Sequence, residues 1–153
     1  MPTRAAKSQT KVAVRKPALA AGIRRARRVS ARKAGAVAGR GVAGLLRDAL
    51  RALERKRTAK DLANLERFGI TAKDPYGVSV ANLRILAKPL ERNHALAEAL
   101  WATDRYEARM LACLVDDPAQ VTVAQMDRWC RDFDNWGITD TACFCLFDRS
   151  PHA

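Results

Sequence analysis

Hydrophobic positions fall into a regular pattern at Val42, and a helical period then runs on to the end of the chain. Leu45, Leu46, Ala49, Leu50 and Leu53 form an i, i+3/i+4 stripe, with Arg47, Arg51, Glu54 and Arg55 facing away from it. That is the signature of a helix with one buried face. A shorter helix covers about Ala59 to Phe68 and stops at Gly69, a residue suited to the left-handed turn after a helix end. Asp74-Pro75 marks a turn in the loop Ile70–Gly77. A third helix, about Ser79 to Lys88, points Val80, Leu83, Leu86 and Ala87 inward before Pro89 breaks it. Asn93 caps a helix reaching Trp101. Asp104-x-x-Glu107 reads as a capping box for a helix to Val115, closed by Asp116-Asp117-Pro118. Thr122-x-x-Gln125 is a second capping box, and it opens a helix to Phe133 whose Met126, Trp129, Cys130 and Phe133 share an apolar face. A last helix follows Asn135.

No segment alternates as a strand would, and the connections are short. The pattern predicts an all-α fold, with antiparallel helix pairs stacked as in HEAT or armadillo superhelices. No fixed sequence period accompanies it, so the repeat is one of structure, and a plain globular bundle is the alternative. A 48% apolar composition over 153 residues suits a single core, and the 6% aromatic content favours helix over sheet.

Charge divides the chain in two. Of the 28 Lys and Arg, twelve lie in residues 1–40, which contain no Asp or Glu; the other sixteen balance all 16 acidic residues in 41–153. Residues 1–40 therefore form a basic Ala/Arg/Lys-rich arm with too little apolar surface to fold alone. Three readings of the arm stay open: a solvated tail or mis-assigned start, a non-specific phosphate-binding segment, and a transit peptide. No apolar run approaches the ~20 residues of a membrane span, and a soluble, cytoplasmic protein without membrane contact is the expectation. Cys113, Cys130, Cys143 and Cys145 include no CxxC pair, and the only histidines are His94 and His152. Small buried hydrophobes explain these cysteines better than a metal site does.

Candidate chemistry concentrates near the C-terminus. Trp136 and Asp140 are four residues apart, so on one helix an indole and a carboxylate share a face. The surrounding sequence, Ile138 and Ala142 to Phe147, is nearly all apolar, and a carboxylate buried there needs a partner. An aromatic face beside a lone carboxylate suits a cationic ligand. The alternative is a core tryptophan followed by a helix that starts late, with Thr139 as its cap and Asp140 near the dipole's positive end.

Three segments together resemble the bacterial AlkD-type DNA alkylation-repair proteins: Leu100 to Arg109, Tyr76-Gly77-Val78-Ser79 with the helix after it, and above all Trp136-x-x-x-Asp140. The resemblance covers about residues 42–153. It implies a HEAT-like superhelix holding duplex DNA on its concave face. It also implies hydrolysis of the N-glycosidic bond of N3- and N7-alkylated purines, with no metal or cofactor. Carried over by motif, Asp140 is catalytic and Trp136 contacts the lesion-bearing nucleotide. Arg105, Arg128, Arg131 and Arg149 are candidates for DNA phosphates, a solvated face being their other reading. Glu107 and Arg109 fit a cap and a helix-surface or interhelical pair. The resemblance further implies a monomer when the full repeat array is present, bound to the bacterial nucleoid through alkylated DNA. Family members continue for several helices beyond the motif, whereas this chain stops at Pro151-His152-Ala153. A fragment, a frameshifted product or a divergent member without catalysis is the expectation that follows. The rival functions are a non-catalytic nucleic-acid-binding repeat and a protein-interaction scaffold.

Overall fold

A computed structural model describes residues 41–153; the basic arm of residues 1–40 lies outside the described residues. Seven α-helices follow one another, with no strand among the described residues. They are α1 (Val42–Arg55), α2 (Ala59–Arg67), α3 (Val80–Ala87), α4 (His94–Trp101), α5 (Tyr106–Val115), α6 (Val123–Arg131) and α7 (Trp136–Cys145). Single 3-10 turns occupy Lys88–Leu90, Pro118–Gln120 and Phe147–Arg149. The fold is all-α, with helices packed in the manner of a helical-repeat superhelix.

Five helix starts are capped as their sequences dictate. Thr58, Ser79, Asn93, Thr122 and Asn135 each accept a backbone N–H from the third residue onward, at 2.9 to 3.4 Å. Helix α5 is the axis of the core. It packs on α4, α3, α7 and α1, and Ala108, Leu111, Ala112, Cys113 and Val115 along it are wholly buried. From the other helices Leu53, Leu83, Leu96, Leu100, Trp129 and Ile138 close around it.

The box expected at Asp104-x-x-Glu107 does not form. Arg105 occupies the N-cap position with no side-chain cap, and Asp104 sits at φ 59°. Its carboxylate instead takes Lys73 Nζ at 2.6 Å and Arg109 at 2.8 Å. Those two cations hold the Asp104 carboxyl below its usual range, the Lys73 hydrogen bond foremost. Glu107 is fully buried and accepts the backbone N–H groups of Tyr76, Gly77 and Val78 at 2.7, 2.7 and 3.1 Å. A buried carboxylate needs such partners, and here it fastens the loop before α3 onto the core. Gly77 is required at that junction: its φ is +75°, and a Cβ would lie 2.7 Å from the Thr58 carbonyl oxygen.

Other details differ from the sequence pattern. Thr122 and Gln125 make only half of a capping box, because the Gln125 amide donates to buried Asp116 at 2.7 Å. Helix α6 ends at Arg131, short of Phe133. Cys130 is exposed and Cys143 and Cys145 are half-buried, so only Cys113 is a buried hydrophobe. Arg109, expected on a surface or between helices, is 8% exposed and takes the interhelical role: it lies over the Trp101 ring at 5.2 Å and bonds to the Asp132 carbonyl. Trp101 in turn stacks on Trp129 with ring centroids 3.9 Å apart and planes 4° from parallel. Val80 points outward, at 46% exposure, and the reason is a cleft at the foot of α3.

Candidate functional site

Helix α7 begins at Trp136, capped by Asn135, whose side chain accepts the Ile138 N–H at 3.0 Å. The late start at Thr139 is thereby excluded, and the Thr139 hydroxyl donates instead to the Asn135 carbonyl at 3.0 Å. Trp136 is thus the first residue of the helix and Asp140 lies one turn on, which brings both to the same surface. That surface is one wall of a cleft of about 290 Å³.

Four other elements complete the cleft. Asp61, Asn64 and Leu65 come from α2, with Phe68 just past its end; Ile70, Val78 and Ser79 from the loop; Val80 and Leu83 from α3; Tyr106 and Met110 from α5. Gly137 and Thr141 join Trp136 and Asp140 on α7. The indole is not core: Trp136 is 53% exposed, and its Nε1 donates to the Phe68 carbonyl at 3.1 Å, which pins it across the cleft edge. Phe68, 57% exposed, stands on the α2 side. Asp140 is exposed and has no hydrogen bond or ion pair among the described residues. The desolvation expected of a carboxylate in an apolar helix therefore does not arise. Asp61 accepts the Ser79 N–H at 3.2 Å, which ties α2 to the start of α3.

The described residues lining the cleft include two carboxylates, Asp61 and Asp140, and no Lys, Arg or His. Aromatic and aliphatic walls with negative charge and no positive charge suit a flat cation and disfavour a phosphate. At the floor, Tyr106 is 5% exposed. Burial, with Glu107 next in effect, pushes its phenol from 10.0 up to about 12, so it is a neutral hydroxyl at physiological pH.

The four candidate arginines are not in this lining. Arg105 donates to the Tyr76 hydroxyl and lies 4.5 Å over that ring. Arg128 makes a two-pronged contact with Glu98, both at 2.7 Å. Arg131 and Arg149 are exposed and unpaired among the described residues. The pattern reading had not singled out Asp61, Phe68 or Tyr106 for the site. The first two lie on or just past the end of a helix far upstream, and a lone sequence carries no sign of that approach. A tyrosine at a helix start reads as ordinary core.

Fold and cleft together define an all-α repeat protein with an acidic, aromatic-edged cavity between its helices. Residues 49–150 match the family model described as DNA alkylation repair enzyme, and the chain belongs to that family. No curated protein and no solved structure matches it. Membership supports a role in DNA repair and suggests DNA as the partner. No described helix is long and apolar enough to cross a membrane.

Proposed function

We propose that the protein is a DNA glycosylase that releases cationic N3- or N7-alkylated purines from duplex DNA, with Asp140 as its catalytic carboxylate. The observation that carries this reading is the pairing of Trp136 and Asp140 on one wall of a cleft whose described lining holds two carboxylates and no basic group. An alkylated purine already carries positive charge, so it leaves with little help from an acid. The strain falls on the sugar, which gains oxocarbenium character as the bond breaks. A free carboxylate beside it stabilises that charge and orients the attacking water. Trp136 offers its π face to the cationic nucleotide, and its bond to Phe68 keeps the ring in place. Arg131 and Arg149, which have no partner among the described residues, are the more available of the four arginines for backbone phosphates. No step in this chemistry calls for a metal or cofactor.

The test is base release from methylated duplex DNA by the full chain and by Asp140→Asn. Loss of a preorganised charge at the developing cation lowers the rate by about a hundredfold or more. Because Asp140 is exposed and unpaired, the thermal midpoint of the variant stays that of the parent. Release by Asp140→Asn at the parent's rate overturns the assignment. DNA binding without release by the parent favours a non-catalytic repeat.

A further inference from the structure

We propose that the Tyr106 hydroxyl hydrogen-bonds the ligand at the floor of the cleft, and that residue 137 is glycine because any side chain there would displace that hydroxyl. The inference rests on the reading just given and names a specificity-determining residue within that site.

Tyr106 lines the cleft and is 5% exposed, yet its hydroxyl has no hydrogen-bond partner among the described residues. A tyrosine hydroxyl that the fold leaves without a partner and that borders a cavity is available to whatever enters it. The other polar lining groups with known partners are engaged: Asp61 takes the Ser79 N–H, and Thr141 donates to the Gly137 carbonyl. Tyr106 and the Asn64 amide are neutral donors left without a partner among the described residues, and of the two the Tyr106 hydroxyl lies against the start of the helix that carries Trp136 and Asp140.

Gly137 gives the second, independent observation. It lies in the first turn of α7, where φ is not positive, so the backbone does not require glycine. Alanine is the better helix former at such a place. A Cβ built there would lie 2.6 Å from the Tyr106 hydroxyl oxygen and 3.3 Å from Asn135 Oδ1. Asn135 is committed to capping α7 and cannot give way without loosening that helix. The tyrosine ring is enclosed, so it would have to yield within the core. The glycine thus keeps the phenol at the cleft floor, directly beside the helix that carries Trp136 and Asp140. A hydroxyl in that position selects, among flat cations, those presenting an acceptor such as the carbonyl oxygen of an alkylated guanine.

The experiment measures release of 7-methylguanine from duplex DNA, together with thermal midpoints, for the full chain and its variants. Tyr106→Phe lowers kcat/KM about five- to tenfold, the worth of one neutral hydrogen bond, at an unchanged midpoint. Asp140→Asn lowers it far more. Gly137→Ala lowers both release and midpoint, whereas in the Tyr106→Phe background the same change leaves the midpoint nearly unaltered, because the clashing oxygen is gone. Parent-like release by Tyr106→Phe beside an inactive Asp140→Asn overturns this inference and leaves the glycosylase reading standing. A fall in midpoint matching the lost activity of Tyr106→Phe assigns the hydroxyl a structural role and also overturns it. An equal midpoint loss for Gly137→Ala in both backgrounds overturns the spacing argument. If the parent releases no base, binding of 7-methylguanosine, read by isothermal titration calorimetry, decides: weaker binding by Tyr106→Phe supports the inference. Equal binding by the two overturns it, and no binding by the parent overturns both readings.

Discussion

Deprotonating Tyr106 would place a charge on a largely buried side chain, close to buried Glu107. Its phenol is raised from 10.0 to about 12 in the folded chain. Below pH 10 the group is protonated folded and unfolded alike, and its contribution is fully present. Between about 10 and about 12 the unfolded chain releases the proton and the folded one does not, so stability falls as pH rises through that window. Urea unfolding of the parent and Tyr106→Phe along an alkaline series checks the sign: the variant declines less steeply above pH 10. At this scale the sequence was informative where a local spacing carried the message. Trp136 and Asp140 announce a shared face because four residues make one helical turn. Tyr106, Asp61 and Phe68 announce nothing, since each reaches the cleft through tertiary packing.

Helix starts followed local rules, and the two capping-box exceptions have one cause. Thr58, Ser79, Asn93, Thr122 and Asn135 cap as their chemistry prescribes. Glu107 and Gln125 sit where a capping box would use them, but each serves a longer-range partner: the loop Tyr76–Val78 for one, buried Asp116 for the other. A buried acceptor or donor with a tertiary partner outweighs a local cap at an exposed helix end, and sequence spacing cannot distinguish the two. Glu107 is therefore expected to behave as a clamp. Removing it leaves up to three buried N–H groups without an acceptor, at about 1 to 3 kcal/mol each before relaxation. Glu107→Ala should lose about 3 to 5 kcal/mol in urea unfolding, in line with breaking a buried charged contact. A loss below about 1 kcal/mol would show that water replaces the carboxylate and that the loop is held by other contacts.

For the molecule as a whole, the helical period sufficed to read the all-α class, because short amphipathic helices have few other ways to bury their faces. The cleft was not readable, since it arises where α2, α3, α5 and α7 meet. Charge adds a consequence at the same scale. Residues 41–153 are balanced, and the excess of twelve positive charges lies in residues 1–40. DNA affinity carried by the arm should weaken steeply with salt, while recognition in the cleft should not. Comparing the full chain with one lacking residues 1–40, across a salt series on unmodified duplex, should show a marked flattening of the slope. Equal slopes would assign backbone contact to the helices.

The stacked pair of Trp101 and Trp129 has an optical consequence of its own. Two indoles 3.9 Å apart and nearly parallel share their electronic excitation, and circular dichroism records such sharing as paired bands of opposite sign whenever the two transition dipoles are skewed in chirality. One ring belongs to α4 and the other to α6. Rotational strength from that coupling would vanish as soon as the helices part, even with each still wound. The protein thus carries, between two of its helices, a reporter of packing distinct from the signal of helix content.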